Sequence, residues 1–466
     1  MPLFAPAELA RWSRGAWTVP PARPITGFTH DTRELRAGEV FVALKTARRD
    51  GAAFLAAAEA AGAAGAIVSR ADPDVRLPQL VVDDPLGALH LIAREHRRRF
   101  AGPVVGVSGS VGKTSTKDLL ARLLGGEPAV LATAGNLNNQ IGVPLTLTRL
   151  DPARHRFAVV EAGVSAPGEM GPLAGMIEPD LAIITMVAPA HLRDFGGVEA
   201  VAREKALLPA AVRPAGIAVF PRPCLRYDAF RALEVRKMVI EPAAVVRPAD
   251  PPKDHVYFAV TQRSGHTGLA IAYGTPPPVN FTMHRVSAGM AQNAVLAICA
   301  ALWLGVEAAV IQERLAAWQP AHWRGEVRHE PGRLLYVDCY NANPVSMADA
   351  LDNFVSVAPP EHPRLYILGC MEELGPRAAE YHRRVGRLVA LRRQDRAFII
   401  GDRAVSLRAG MLEAGNPAGR IEIVADLAPV AAAVAGFRGA VFLKGSRRYA
   451  LERVLAGGAV AEAVPC

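Results

Sequence analysis

A glycine-spaced loop that ends in a lysine–threonine pair is the strongest chemical signal in this 466-residue chain. Gly106, Gly109 and Gly112 follow the apolar run PVV and precede Lys113 and Thr114. Glycines let backbone N–H groups approach phosphate oxygens, the lysine adds positive charge, and the threonine hydroxyl can bind Mg²⁺. The first glycine stands one position earlier than in the usual phosphate loop, so the motif is a variant. It predicts binding of a nucleoside triphosphate.

Polar residues near the ends of other apolar runs are candidate metal ligands. Glu161 closes FAVVE, His191 follows LAIITMV, and Asn138 lies in TAGNLNNQIGVP after AVLAT. Ligands bind beyond the carboxyl ends of strands in an open parallel sheet, so these side chains could converge on a metal at Thr114. The alternatives are a structural, hydrogen-bonded His191 and asparagines that only turn the chain.

A second group of polar residues ends apolar runs in the last third of the chain. Asp338 closes LLYVD and could accept hydrogen bonds from a ribose hydroxyl. Lys444 and Arg447 follow VFL and could hold a carboxylate. Asn341 and Asn343 lie just after Asp338, where ordinary helix capping is the alternative.

The elements that must position these residues have an α/β pattern. Continuous apolar runs such as VVGV, FAVVEAG and LAIITMV are typical of parallel strands buried on both faces. Residues 213–287 carry short β-prone stretches broken by Pro and Gly, which favours an antiparallel insertion. After Pro320, five strand-like runs each precede a helix-like segment.

The predicted fold is therefore α/β with three domains. A small α/β domain over 1–102 is followed by a central phosphate-loop ATPase domain over 103–320, which has a parallel sheet plus the antiparallel insertion. A Rossmann-like, doubly wound sheet occupies 321–466. The length fits about three domains.

Composition excludes several classes of protein. The net charge of +9 is too dispersed to indicate nucleic-acid binding, and Arg97–Arg99 is interpreted as a solvated helix end. The longest apolar run, 294–306, is too short to span a membrane. Five scattered cysteines indicate neither a disulfide framework nor a zinc cluster. Because the first thirty residues carry no export signal, we expect a cytoplasmic protein.

The order of motifs along the chain resembles the Mur ligases. The motifs are GVSGSVGKTSTK, TAGNLNNQIGVPLTLTRL, VVEAGVSAPGEM, APAHLRDFGG, CYNANPVSM, LGCMEELG and LKGSR. The resemblance runs from about Gly27 to Glu452. GNLNN, YNANP-x-SM and ELG are typical of the members that join D-alanyl-D-alanine to UDP-N-acetylmuramoyl-tripeptide, whereas the phosphate loop is shared across the superfamily.

The resemblance implies a carboxylate that attacks the γ-phosphate of ATP to give an acyl phosphate, which the dipeptide amine then attacks. It implies ATP, two Mg²⁺ ions and a carbamylated Lys205, although the sequence around Lys205 also fits a surface helix lysine. A UDP-binding N-terminal domain, a central ATPase, and a C-terminal domain that receives the amino substrate are implied as well. We further expect a monomer.

The same resemblance assigns roles to individual residues. The implied catalytic residues are Lys113, Glu161, His191 and Lys205, and the implied metal ligands are Thr114, Glu161, His191 and Lys205. The implied ATP-binding residues are Gly109, Ser110, Gly112, Lys113, Thr114, Ser115, Asn293, Arg324 and Asp338. The implied substrate-binding residues are Thr32, Arg33, Asn138, Asn341, Asn343, Lys444 and Arg447.

Several positions depart from the family pattern. Met186, Gly289 and Met290 replace polar residues, Arg193 replaces a glutamate, Cys370 replaces an aspartate, and Ala52 replaces a histidine. Two alternatives to the dipeptide ligase therefore stay open. One is a related ligase with another amino substrate, and the other is a non-catalytic nucleotide-binding relative.

Overall fold

The computed structural model describes residues 3–46, 49–243, 253–273 and 277–455. The described chain forms three β-sheets flanked by helices, which confirms the α/β class. The search of these residues for a helix long and apolar enough to cross a bilayer finds none.

The first sheet has five strands and three accompanying helices. The elements are α1 (Pro6–Ser13), β1 (Ala16–Trp17), β2 (Gly27–Thr29), β3 (Glu39–Val42), α2 (Leu55–Ala60), β4 (Gly65–Val68), β5 (Gln79–Val81) and α3 (Pro85–Arg98). The strand order is β1-β5-β4-β3-β2, with β1 antiparallel to β5 and the others parallel. The Asp84 carboxylate caps α3, and Pro85 begins it, where a missing N–H costs nothing.

The second sheet carries the phosphate loop. Its strands are β6 (Val104–Ser108), β7 (Val130–Ala132), β8 (Phe157–Glu161), β9 (Leu181–Ile184), β10 (Ile217–Pro221), β11 (Arg236–Pro242), β12 (His255–Arg263), β13 (His266–Ala272) and β14 (Val279–His284). Its helices are α4 (Lys113–Leu123), α5 (Gly142–Leu147), α6 (Met170–Ile177), α7 (Leu192–Phe195), α8 (Val198–Ala210), α9 (Asp228–Arg231), α10 (Ala288–Trp303) and α11 (Ala308–Ala316).

The strand order of this sheet is β14-β13-β12-β11-β10-β9-β6-β8-β7. Pairing from β7 through β12 is parallel, and among the described strands of this sheet only the β12–β13 and β13–β14 pairs are antiparallel. The antiparallel part of the prediction is therefore confirmed for 255–284. It is wrong for β10 and β11, which continue the parallel sheet because both strands bury apolar side chains against helices on its faces.

The third sheet matches the predicted repeats and adds one strand. Its elements are β15 (Glu326–Glu330), β16 (Arg333–Asp338), α12 (Pro344–Val357), β17 (Arg364–Gly369), α13 (Ala378–Gly386), β18 (Arg396–Ile400), α14 (Ala404–Glu413), β19 (Ile421–Val424), α15 (Ala428–Ala435) and β20 (Gly439–Lys444). The five predicted strands are parallel in the order β16-β20-β17-β18-β19. The additional strand, β15, forms an edge hairpin with β16.

One residue of the arginine run at the end of α3 contradicts the expected solvated helix end, whereas Arg98 and Arg99 are exposed as expected. Arg97 is only 1% exposed and donates hydrogen bonds to the Ile177 and Glu178 carbonyls at 2.8 Å and to the Asp180 carboxylate at 3.0 Å. A buried guanidinium is stable only with such partners. Arg97 thus fastens α3 to the loop between α6 and β9.

Candidate active site

The phosphate loop connects β6 to α4, and two of its glycines are required by close contacts. The φ angles of Gly109 and Gly112 are +143° and +81°. A Cβ at Gly109 would lie 1.9 Å from the Thr185 hydroxyl, and one at Gly112 would lie 2.3 Å from the Asn293 side-chain nitrogen. Ser110 anchors the loop, since its hydroxyl donates to the Ala188 carbonyl at 2.9 Å. The loop therefore has the backbone shape that a phosphate cradle needs.

Lys113 begins α4 and lies half-buried in the loop. Its ammonium donates a hydrogen bond to the Gly109 carbonyl at 3.0 Å. Burial lowers the pKa of Lys113, an effect that Glu161 opposes and Arg324 strengthens. The lysine charge is thus held at the mouth of the loop, next to the positive end of α4.

Sheet register brings Glu161 to the phosphate loop. Glu161 pairs with Val107 across β8 and β6, so the carboxylate stands beside the point at which β6 ends. One carboxylate oxygen accepts a hydrogen bond from the Asn138 side chain at 2.7 Å. The other, Oε2, is buried and has no hydrogen-bond partner within the described chain. A buried carboxylate oxygen without a partner is costly, so this atom is suited to a cation.

Thr114 is linked to the third sheet by an arginine. The Arg324 guanidinium donates to the Thr114 hydroxyl at 3.1 Å and stacks 3.9 Å from the centre of the Tyr340 ring. Arg324 comes from the segment between α11 and β15. The contact joins the phosphate loop to the end of β16.

Two residues at the ends of β16 and β20 face this loop as an ion pair. Asp338 and Lys444 are partners in the parallel register, and their side chains are 2.6 Å apart. The buried Lys444 ammonium also donates to the Asp338 and Asn341 carbonyls at 3.4 and 3.3 Å. Asp338 therefore has a fixed cationic partner within the chain. A new ligand at Asp338 must share the carboxylate with Lys444.

A cavity of about 280 Å³ lies between the phosphate loop and these strand ends. The predicted residues that line it are Ser110, Gly112, Lys113, Thr114, Ser115, Asn138, Glu161, Asn293, Arg324, Asp338, Asn341, Asn343 and Lys444. The predicted residues outside its lining are Thr32, Arg33, Gly109, His191, Lys205 and Arg447. Most of the residues predicted for nucleotide binding are thus brought to one place.

His191 makes a different contact from the predicted one. It precedes α7 with a φ of +52°, and its Nδ1 lies 2.5 Å from the Glu373 carboxylate. The His191 ring beside this carboxylate lowers the pKa of Glu373. In this arrangement His191 joins the second sheet's loops to the ELG segment of the third, rather than facing the cavity.

Lys205 lies on α8 and is buried, which contradicts its interpretation as a surface helix lysine. Burial lowers the pKa of Lys205 well below its ordinary value, the nearby Lys113 charge lowers it further, and Glu204 opposes both. No side-chain hydrogen bond of its ammonium occurs within the described residues. A buried lysine of this kind is held toward its neutral form.

The remaining predicted substrate residues have partners within the chain. Asn343 caps α12 by accepting hydrogen bonds from the Val345 and Ser346 amides, as the capping alternative predicts, and it also lines the cavity. Arg447 pairs with Glu452 at 2.6 Å.

Thr32 and Arg33 follow β2, at the end of the first sheet. The exposed Arg33 binds Asp31, and this hydrogen bond lowers the Asp31 pKa to about 2. Both residues are on the surface of a turn, away from the cavity described above.

Comparison with known proteins decides the family. The Mur ligase middle domain matches residues 107–301, and the Mur ligase glutamate ligase domain matches residues 323–447. An Escherichia coli K12 relative, UDP-N-acetylmuramoyl-tripeptide--D-alanyl-D-alanine ligase, is 32% identical over 435 residues, which are 92% of this chain and 93% of the relative. The chain belongs to the Mur ligase family. The resemblance seen in the sequence is confirmed.

Solved structures of other Mur ligases share the whole architecture. MurF from Acinetobacter baumannii superposes with a TM-score of 0.85 at 26% identity, covering 98% of both chains. MurF from Thermotoga maritima, solved in complex with ADP, gives a TM-score of 0.75 at 26% identity and covers 92% of this chain and 96% of that one. As a Mur ligase, this chain is an ATP-dependent enzyme that forms a C–N bond.

Only some of the departures from the Mur ligase pattern line the cavity, whereas Ala52, Arg193 and Cys370 lie outside its lining. Met186 and Met290 line it where the pattern has polar side chains. Cys370 is buried, and burial raises its pKa to about 12, so it is a neutral thiol and not a substitute for a carboxylate. Arg193 is exposed and pairs with Asp194.

Sequence analysis missed one charged residue of this Mur ligase site. Asp349 on α12 lines the cavity and accepts a hydrogen bond from the Gly289 amide at 2.8 Å. Burial raises the pKa of Asp349, while hydrogen bonds from Ser287 and Gly289 oppose that effect. An aspartate inside an amphipathic helix gives no sequence signal, because such residues are usually solvated.

Proposed function

We propose that this Mur ligase joins D-alanyl-D-alanine to UDP-N-acetylmuramoyl-tripeptide. The observation that carries the proposal is the cavity that has Lys113, Thr114 and Glu161 on one wall and Asp338 and Lys444 on the other. It offers cations and backbone amides to a triphosphate, and it lies between the two sheets that would bring carboxylate and amine together.

ATP would lie with its triphosphate on residues 109–115. The loop amides and Lys113 neutralise the β- and γ-phosphates, Arg324 reaches the γ-phosphate from the third sheet, and Asn293 and Asp338 hold the nucleoside. Arg324 already bonds the Thr114 hydroxyl, so it must move only a short way to reach a phosphate there.

Magnesium fits the donors in the cavity. The partnerless Glu161 Oε2 and the Thr114 hydroxyl are the hard oxygens that Mg²⁺ prefers. Bound magnesium would offset the triphosphate charge and polarise the γ-phosphoryl group. His191 faces Glu373 here, so its proposed metal contact requires that contact to open.

Lys205 would carry the second metal-binding function as a carbamate. Carbamylation needs a neutral amine, and the burial of Lys205 beside Lys113 favours that form. The product would replace a buried ammonium with a carboxylate-like oxygen ligand. A ¹³C carbamate resonance, present after incubation with labelled bicarbonate and absent from Lys205→Ala, would support this assignment.

The reaction would take two displacements. The tripeptide carboxylate attacks the γ-phosphorus, the bond to the β,γ-bridging oxygen breaks, and ADP leaves. The neutral amine of D-alanyl-D-alanine then attacks the acyl carbon, the bond to the phosphate oxygen breaks, and inorganic phosphate leaves as the amine loses its proton to solvent or a base. Lys113 and Arg324 stay in place and balance the charge that shifts among the phosphate oxygens.

The UDP-linked tripeptide and D-alanyl-D-alanine would bind on opposite sides of the triphosphate. Thr32 and Arg33 would contact the UDP moiety, and Asn138, Asn341, Asn343, Lys444 and Arg447 would contact the peptide parts. The corresponding division into domains is 1–102 for UDP binding, 103–320 for ATP and 321–466 for the amino substrate. We place the enzyme in the cytoplasm as a monomer.

An end-point assay tests this function directly. Purified protein would receive ATP, Mg²⁺ and the UDP-linked tripeptide, with D-alanyl-D-alanine, with other amino acids and dipeptides, or with no amine. We expect phosphate release and a UDP-linked pentapeptide only with D-alanyl-D-alanine. Equal release with another amine would identify a different amino substrate, and ATP binding without release would identify a non-catalytic relative.

A further inference from the structure

Helix α10 is capped from two sides, and one of the caps comes from the third sheet's layer of helices. The Ser287 hydroxyl accepts a hydrogen bond from the Met290 amide at 3.1 Å, as an ordinary N-cap does. The Gly289 amide instead donates to the Asp349 carboxylate at 2.8 Å, 60 residues away in the chain. Asp349 thus satisfies an amide that the helix itself leaves free.

The Asp349 contact depends on the missing side chain at position 289. A Cβ built at Gly289 would lie 2.7 Å from one Asp349 carboxylate oxygen and 3.0 Å from its carboxyl carbon. A carboxylate and any side chain at position 289 therefore compete for the same space. The pair Gly289 and Asp349 forms one interlocking unit.

This cap lies one helical turn from the nucleotide loop. Asn293 is four residues after Gly289 on α10, and its side chain rests on Gly112 of the phosphate loop. Residues four apart share a helix face. Rotation or fraying of the first turn of α10 would therefore move the surface that Asn293 offers at the loop.

We propose that Asp349 is a positioning residue that fixes the first turn of α10, and hence Asn293, against the phosphate loop. The inference rests on the proposed nucleotide site in one respect only, namely that ATP binds where Asn293 points. The position of α12 then affects ATP binding, because Asp349 on α12 holds the turn that positions Asn293. Docking of the third sheet would then tighten ATP binding before any amino substrate arrives.

The experiment compares Asp349→Ala, Asp349→Asn and the matched control Asp352→Ala, an exposed aspartate on the same helix. Amide hydrogen exchange of residues 286–296 is measured without nucleotide, and KM and kcat are then measured for ATP. We expect Asp349→Ala to speed exchange of the first turn at least tenfold and to raise KM for ATP about tenfold, with kcat within about twofold. Asp349→Asn keeps a hydrogen-bond acceptor and should recover most of both effects, and Asp352→Ala should resemble the wild type.

Unchanged exchange in Asp349→Ala would overturn the proposal, and so would faster exchange with an unchanged KM for ATP. Because exchange is measured without nucleotide, failure of the ATP site itself would be seen separately, as wild-type protein that does not bind ATP. If Asp349→Ala does not fold, Gly289→Ala provides the second test. The new methyl group should displace the carboxylate and raise KM for ATP similarly, and adding Asp349→Asn to it should cost little more.

Discussion

At the scale of single residues, the candidate site contains buried charged side chains that are not fully hydrogen-bonded within the described chain. Glu161 offers one oxygen to Asn138 and leaves the other buried without a hydrogen-bond partner in the described chain, and Lys205 is a lysine buried near the Lys113 ammonium. Both arrangements cost folding free energy in the isolated chain. They become favourable when a cation binds the carboxylate and the amine loses its charge.

Glu161→Gln tests this interpretation. The amide keeps the shape and can still bond Asn138, but it removes the charge that would hold Mg²⁺. We expect the Mg²⁺ concentration for half-maximal turnover to rise at least about tenfold, while the free energy of unfolding stays within about 1 kcal/mol of the wild type or increases. Magnesium titration of phosphate release and urea unfolding measure the two quantities. The control is Glu234→Gln at an exposed position. An unaltered Mg²⁺ requirement in Glu161→Gln would show that Glu161 does not bind the metal.

At the scale of helices and strands, the direction of strand pairing could be predicted from the sequence for the third sheet but not for all of the second. Strands β16 to β20 alternate with helices, and β16, β17 and β20 are buried on both faces, so the parallel arrangement follows from the pattern. Strands β10 and β11 have similar runs broken by prolines, and nothing local distinguishes a parallel partner from an antiparallel one. The burial of Arg97 could not be predicted for the same reason, since its partners Ile177 and Asp180 are about 80 residues away in the chain.

Arg97→Ala tests how firmly α3 is tied to the second sheet. Loss of the guanidinium leaves the Ile177 and Glu178 carbonyls and part of Asp180 without a partner, so we expect a loss of about 3 kcal/mol in the free energy of unfolding. Urea unfolding followed by circular dichroism measures it. Arg98→Ala removes the neighbouring, half-exposed pair with Glu178 and should cost less than about 1 kcal/mol. Equal losses of unfolding free energy in the two variants would show that the buried Arg97 contributes no more to stability than Arg98 does.

At the scale of the whole molecule, the cavity exists because elements of the second and third sheets meet across it. Arg324 with Thr114, His191 with Glu373 and Asp349 with Gly289 are contacts between them. Each sheet's strand ends could be predicted from apolar runs, and so could the phosphate loop. The pairings across the cavity could not, because they depend on how two separately folded sheets are oriented.

The binding sites proposed for ATP and for the UDP-linked tripeptide lie on different sheets, and Lys113→Ala tests this separation. Lys113 lies on the second sheet's loop, whereas Thr32 and Arg33 lie at the end of the first sheet, outside the cavity. Removing the lysine takes a fixed positive charge from the phosphates, a loss that lowers turnover by at least about a hundredfold when such a group stabilises the transition state. Calorimetry should find the affinity for the UDP-linked tripeptide within about twofold of the wild type, because that site shares no residue with the loop.

An Arg33→Ala variant should show the reverse pattern, with weaker tripeptide binding and nearly normal ATP affinity. Loss of both affinities in either variant would mean that the first and second sheets form a single binding site, and the division of labour proposed for the three domains would be wrong.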